Sequence, residues 1–344
     1  MSALLEVENL TVALPTPGGY RNAVDGLSLS VAPGEVVGIA GESGSGKTMT
    51  ALSLFGLLPH GARVSGTARL DGTDLLALRG RALRDMRGRQ VAMVSQDPSA
   101  ALHPILTIGT QLTEHMRHHL GISKAEALTR AAGLLETVRI PDPERALRSY
   151  PGQFSGGMRQ RIAIAIALAA EPRLLVADEP TTALDVTVQA GILRLLMRLC
   201  AERDMAVIVI THDLGVMSAL ARRVYVMYAG RLAEAGPTKT LLTRPRHPYT
   251  RGLLDALPHP EAGRAPLVPI GGTPPSLGAV PDGCPFHPRC AHAVPACAIA
   301  RPEPVPTPGD AFSPGADSDA GAGTESGRHL LACPPDPLRE VVTS

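Results

Sequence analysis

Short, unbroken apolar runs separated by helical stretches set the rhythm of the first 240 residues. Val36-Val37-Gly38-Ile39-Ala40, Val91 to Ser95, Leu174-Leu175-Val176-Ala177-Asp178 and Val207-Ile208-Val209-Ile210-Thr211 read as strands. Runs that do not alternate suit strands covered on both faces, as in a parallel sheet. A polar residue closes the last two runs, which places candidate chemistry at the carboxyl edge of that sheet. Thr48 to Leu58 and Lys124 to Arg139 carry helical spacing, the latter closed by Pro141 and Pro143. Between Ile105 and Ala170 no strand is expected, so an α/β layout carries a helical insertion over about 105–170. No repeat of 20 to 50 residues is visible.

The pattern changes near residue 240. Of 32 prolines, 12 lie before residue 244 and 20 lie in the final 101 residues, where regular elements would be interrupted repeatedly. The expected organisation is therefore one domain over 1–243 and an irregular Pro- and Cys-rich extension over 244–344. Residues 311–327, built mostly from Ala, Gly, Ser and Asp, are expected to be flexible. The chain has 344 residues, 44% of them hydrophobic, which is enough for a large core. With 33 basic and 32 acidic side chains the net charge is +1, which argues against a nucleic-acid partner. No apolar run reaches 18 residues and MSALLEVENL lacks the zones of a signal peptide, so neither a membrane span nor secretion is expected.

Only three lysines occur, Lys47, Lys124 and Lys239, against 30 arginines. One falls in Gly41-Glu42-Ser43-Gly44-Ser45-Gly46-Lys47-Thr48, which matches GxxxxGK[ST] and sits between a buried strand and a helix. Glycines there let successive N–H groups turn inward around phosphate, and the helix N-terminus adds a favourable dipole. Lys47 would bridge the β- and γ-phosphates of a nucleotide and Thr48 would offer its hydroxyl to Mg²⁺. A glycine-rich turn with a solvent-facing lysine is the plain alternative. Asp178-Glu179 closes an apolar strand, where an Asp can reach the Mg²⁺ shell and the adjacent acid can polarise a water; taken alone, the pair could equally be a helix cap. Ser155-Gly156-Gly157 opens the apolar helix Ile162 to Ala170 and forms a second anion-binding end.

Taken in order, the phosphate loop, Gln96 after a strand, Phe154-Ser155-Gly156-Gly157-Met158-Arg159-Gln160-Arg161, Asp178-Glu179, Ala183-Leu184-Asp185 and Thr211-His212-Asp213 resemble the ATP-binding cassette (ABC) ATPases from residue 3 to about 240. The resemblance implies a P-loop NTPase fold with a RecA-like core, an antiparallel β subdomain and a helical insertion. ATP and Mg²⁺ are the implied cofactors. Gln96 would sense Mg²⁺ and link the site to membrane subunits, Glu179 would activate water, and His212 would hold the γ-phosphate. Ser155, Gly156 and Gly157 would contact ATP held by a partner cassette, and Asp185 would cross that interface. Adenine would stack on an aromatic near the N-terminus, for which Tyr20 is the candidate, although it lies a few residues nearer the loop than the family pattern has it.

Within that family, Ser95-Gln96-Asp97-Pro98, Tyr150-Pro151, His247-Pro248-Tyr249-Thr250-Arg251 and Gly283-Cys284-Pro285-Phe286-His287-Pro288-Arg289-Cys290 resemble the ATPases of oligopeptide and dipeptide importers, a group that includes nickel importers. The implied function is ATP hydrolysis that powers peptide import from the cytoplasmic face of the membrane. Partners would be a second, homologous ATPase bearing SGGQ, two transmembrane permeases and, indirectly, an extracellular solute-binding protein. Residues 97–104 would help receive a permease. Transport of nickel or another small solute is the alternative cargo. A non-transport ABC protein would carry tandem cassettes, a coiled-coil insertion or a basic face, and a kinase or GTPase would not need the SGGMRQR stretch.

Four cysteines in the extension, Cys284, Cys290, Cys297 and Cys333, could ligate a [4Fe–4S] cluster or zinc, or remain reduced thiols. The resemblance favours the cluster. Cys200, on an apolar helical stretch, reads as an ordinary core thiol.

Overall fold

A computed structural model describes residues 3–180, 186–257, 269–307, 329–333 and 336–338 of the 344-residue chain. From the N-terminus it runs β1 (Leu5–Thr16), β2 (Gly19–Val31), β3 (Val36–Ala40), α1 (Lys47–Leu54), β4 (Arg63–Leu70) and β5 (Thr73–Asp74). Then follow α2 (Gly80–Arg89), β6 (Val91–Val94), α3 (Pro98–Ala101), α4 (Ile108–Leu120), α5 (Lys124–Thr137), α6 (Pro143–Arg148) and α7 (Gly156–Leu168). β7 (Leu174–Asp178), α8 (Val186–Arg203), β8 (Ala206–Thr211), α9 (Leu214–Leu220), β9 (Arg223–Tyr228) and β10 (Arg231–Pro237) complete the α/β part. α10 (Thr238–Thr243) follows, and the extension adds α11 (Pro248–Asp255), β11 (Val305–Pro306) and β12 (Leu330–Leu331).

The chain folds as two compact units: Met1–Ala32, Val37–Leu76 and Thr211–Ser344 in the first, Pro33–Val36 and Ala77–Ile210 in the second. The described residues of the extension belong to the first unit.

The first unit holds an antiparallel sheet in the order β2-β1-β4-β5. Its longest strands alternate buried and exposed positions in part, the signature of a sheet with one wet face. Beside it, β3 pairs in parallel with β9, and β10 runs antiparallel to β9. β3 and β9 are almost wholly buried, and Leu5, Leu10, Leu27, Ile39 and Leu54 are among the largest fully buried side chains. The extension joins this layer by hydrogen bonding: β12 pairs with β10 at Glu234↔Leu331, and β11 pairs with β12. Glu234, fully buried, accepts from the backbone N–H groups of Arg246 (2.8 Å, at Oε1) and His247 (3.1 Å, at Oε2), and His329 Nε2 lies 2.6 Å from the same Oε1. An ion pair joins Arg246 to Asp336. Side-chain anchors thus hold a segment whose prolines deny it long ladders.

In the second unit β6, β7 and β8 form parallel pairs, with Val94 opposite Ala177 and Asp178 opposite Ile210. Every residue of β7 and β8 is buried, as continuous apolar runs require. From Pro98 to Leu168 the regular elements among the described residues are helices. Capping side chains set their starts: the Thr107 hydroxyl accepts from Thr110 N–H at 3.2 Å and the Ser123 hydroxyl from Glu126 N–H at 3.2 Å. Gly121, in the left-handed region, closes α4. Ile108, Leu112, Leu135, Ile162 and Ile164 fill the core beneath. Cys200 is buried there, its Sγ 2.8 Å from Met205 O, and burial pushes its thiol up to about 11. It is a core thiol.

Candidate functional site

In the first unit, β3 delivers the chain into the phosphate loop and α1 leaves it. Gly41 and Gly46 have φ of 148° and 100°, which side chains resist. Space forbids a side chain as well: a Cβ on Gly41 would meet Met227 O at 2.2 Å, and one on Gly46 would meet Ala23 O at 2.6 Å. The loop wraps around Lys47, which is 5% exposed. Its Nζ donates to Gly41 O at 2.7 Å, Glu42 O at 2.9 Å and Ser45 Oγ at 3.4 Å. Carbonyl dipoles thus compensate a desolvated ammonium. Ser43, Gly44 and Thr48 are exposed along the rim and Ser45 is buried. The lysine is therefore no solvent-facing residue on a glycine-rich turn.

His212 follows β8 in a local turn. The Asp213 N–H donates to Thr211 Oγ1 at 3.1 Å, while the Asp213 carboxylate caps α9 by accepting from Gly215 N–H at 2.8 Å. Thr211 is buried, Asp213 is half-buried and His212 is exposed. Tyr20, at the start of β2, is 39% exposed; its hydroxyl donates to Gly61 O at 3.1 Å, and the Arg63 guanidinium lies over its ring at 3.8 Å. One face of that ring carries a cation, so a base could use only the other.

In the second unit, the ends of two neighbouring parallel strands bring Gln96 and Glu179 together, with Gln96 Nε2 donating to Glu179 Oε2 at 3.1 Å. Glu179 has φ of 47°, a left-handed conformation that costs a non-glycine residue about 1–3 kcal/mol. Its N–H donates to Ile210 O at 2.8 Å, which holds that turn. Asp178, the last residue of β7, is 5% exposed. Asp97 caps α3 by accepting from Ser99 N–H at 2.8 Å. In the same unit Ser155 caps α7, its hydroxyl accepting from Met158 N–H at 3.3 Å, and is itself exposed. Gly156 and Gly157 form the first turn of that helix and are half-buried. Asp185 lies outside the described residues.

The cysteines of the extension need a correction. All four are free thiols of intermediate burial. Cys284 N–H donates to Cys297 O at 2.8 Å, and the turn His287–Arg289 leads to Cys290. Burial, then repulsion from Cys284, Cys290 and Cys297, pushes the Cys333 thiol up to about 12, so the thiolate form is disfavoured there. Among the described residues no three His, Cys, Asp or Glu side chains are grouped to hold a metal ion. Neither the [4Fe–4S] cluster nor zinc is supported by this arrangement. Cys333 arrives on the short described segment 329–333, separate from the Cys284–Cys297 loop.

Comparison with known proteins agrees with this architecture. Residues 24–182 match the ABC transporter family, and residues 233–297 match the family described as the C-terminal region of oligopeptide/dipeptide transporters. The oligopeptide transport ATP-binding protein OppD of Salmonella typhimurium is 46% identical over 314 residues, spanning 91% of this chain and 92% of that protein. The dipeptide transport ATP-binding protein DppD of Bacillus subtilis is 48% identical over 299 residues, spanning 86% of this chain and 89% of its own. Among solved structures, the dimeric bacterial ABC transporter cassette MJ0796 aligns with a TM-score of 0.61 at 28% identity, covering 68% of this chain and 98% of that one. The chain belongs to the ABC transporter family of ATP-binding proteins. Its 233–297 match sets it with the oligopeptide/dipeptide branch of that family.

Proposed function

We propose that this protein is the ATP-hydrolysing subunit of a peptide importer. The observation that carries the chemistry is the Gln96–Glu179 hydrogen bond at adjacent strand ends, in a chain that also has a phosphate loop wrapped around a buried Lys47. The cargo follows from relatives named for oligopeptide and dipeptide transport at 46% and 48% identity.

In this reading Gly41 to Thr48 cradle the nucleotide phosphates, and Lys47 exchanges carbonyl partners for phosphate oxygens. Thr48 would offer its hydroxyl to Mg²⁺, a role the family resemblance extends to Gln96 and Asp178, and the ion would supply charge neutralisation at the transferring phosphoryl group. Glu179 would accept the proton of the attacking water, and the family resemblance gives His212 the role of holding the γ-phosphate. Ser155, Gly156, Gly157 and Asp185 serve the nucleotide of a partner cassette, and Tyr20 offers its open face to adenine. The partner is a homologous ATPase bearing SGGQ, so that the pair is a heterodimer. Domain-wise, residues 1–243 act as the cassette and 244–344 as its extension.

No helix among the described residues is long and apolar enough to cross a membrane. In this reading two permeases supply the transmembrane path, and the chain works as a peripheral subunit on the cytoplasmic face. Exposed His103, Pro104 and Ile105, the last 75% exposed, offer a docking surface for one permease. Gentle extraction of the assembled complex tests this reading. The permeases should co-purify, and peptide with its binding protein should raise ATP turnover. Recovery with ribosomes instead, or turnover indifferent to peptide, would exclude it.

A further inference from the structure

Two segments of the extension, His247–Arg251 and Cys284–Cys290, have no part in the chemistry described above, yet both reach the phosphate loop within the first unit. They meet at Glu42, the second residue of the loop. The Glu42 N–H donates to the Tyr249 hydroxyl at 2.7 Å. Its carboxylate takes both arms of the Arg289 guanidinium, at 2.6 and 3.1 Å. Its carbonyl, in turn, accepts from Lys47 Nζ at 2.9 Å and from Ser45 N–H at 3.2 Å. Glu42 therefore links the extension on one side to the phosphate-binding lysine on the other.

The two outer partners are themselves fixed. Tyr249 is fully buried at the start of α11, where its N–H donates to His247 Nδ1 at 3.1 Å. The Arg289 side chain is 5% exposed. Its Nε donates to Gly271 O at 2.8 Å and its Nη1 to the Tyr228 hydroxyl at 3.2 Å. The Tyr228 ring meets those of Tyr249 and Phe286 edge-on, with centroids 4.6 and 5.3 Å apart. The chain has only five tyrosines and four phenylalanines, so three aromatic rings at one junction mark an invested contact. A bidentate, largely desolvated ion pair to a residue with nearby hydrogen bonds fixes geometry better than an exposed pair could.

We propose that Tyr249 and Arg289 are positioning residues for nucleotide binding. By holding Glu42 they set the carbonyl that steadies Lys47, and the loop amides that follow, before the phosphates arrive. Pre-ordering lowers the cost of binding, because the loop need not be ordered at that moment. The extension is thus part of the nucleotide site, and not only an appendage anchored on the sheet.

The inference rests on the ATP-binding reading, and MgATP titration of the full-length chain separates the two. Wild type must bind MgATP; if it does not, the proposed function fails before this inference is reached. Arg289→Gln should raise the Kd for MgATP about tenfold and Tyr249→Phe about threefold, with Arg289→Lys recovering part of the loss. Thermal midpoints decide whether each variant is folded. Should Arg289→Gln unfold because Glu42 is left with an unpaired, half-buried charge, the Glu42→Gln/Arg289→Gln pair removes that charge and should still bind MgATP more weakly than wild type. Folded variants that bind MgATP with wild-type affinity would overturn the proposal and leave these contacts as anchors of the extension alone.

Discussion

Within the first unit, the phosphate loop and the C-terminal extension keep their shapes by opposite means. The loop is a local object: Lys47 reaches back to Gly41 and Glu42, and Gly41 and Gly46 adopt backbone angles and clearances that other residues could not. The extension is held across long separations, Glu234 to His329 and Glu42 to Arg289, by buried polar groups and a few aromatic rings. A local motif can be read from one window of sequence, whereas contacts of the second kind exist only once the fold does. The same contrast predicts different failures: altering the loop removes phosphate binding itself, whereas altering the extension weakens binding only through Glu42 and also shifts stability or its pH dependence.

The largest effect should come from the loop. Lys47→Ala removes the buried ammonium and should weaken MgATP binding by about 100-fold in calorimetric titration while the chain stays folded. Binding within twofold of wild type would mean that the loop does not hold phosphate. Gly46→Ala combines φ of 100° with a Cβ 2.6 Å from Ala23 O, and should cost about 2–3 kcal/mol in denaturant unfolding as well as nucleotide binding.

The next effect lies in the extension. Burial, opposed by the Glu234 charge, holds the His247 imidazole down at about 4 against an ordinary 6.5. The unfolded chain therefore takes up this proton first, and stability present above pH 6.5 is lost as pH falls toward 4. His247→Asn can keep the cap on α11 and has no proton to gain, so it should flatten the acid limb of the stability curve by about 2 kcal/mol between pH 7 and 4.5. An unchanged acid limb would show that His247 is not held neutral. The smallest effect belongs to the rim: Tyr20→Ala should raise the Kd for ATP about threefold, and Tyr20→Phe should not. Equal affinities for all three proteins would remove Tyr20 from the adenine site.

Legibility in the sequence followed the same division. The buried strands at 174–178 and 206–211 announce themselves as continuous apolar runs, and the glycine spacing of the loop states its backbone geometry directly. The strands of the antiparallel sheet were expected only through family resemblance, because β1 and β2 are half-exposed and bulged and their alternation is broken. Gln96 and Glu179 were each named, but their hydrogen bond depends on the β6–β7 register. The roles of Tyr249 and Arg289 at Glu42 had no local signal at all. Their motifs marked the extension as distinctive, and only the fold shows where they point. For the cysteines the expected cluster finds no support among the described residues: number and spacing allow a metal site, but they do not fix the distances between thiols on separate segments.

Glu179→Gln in the assembled transporter tests the central claim most directly. The substitution keeps the size of the side chain and removes its ability to accept a proton, so MgATP binding should remain within about threefold of wild type while ATP turnover falls by about 100-fold or more. Turnover that persists at the wild-type rate, with binding intact, would contradict the assignment of Glu179 and with it the catalytic reading of this site.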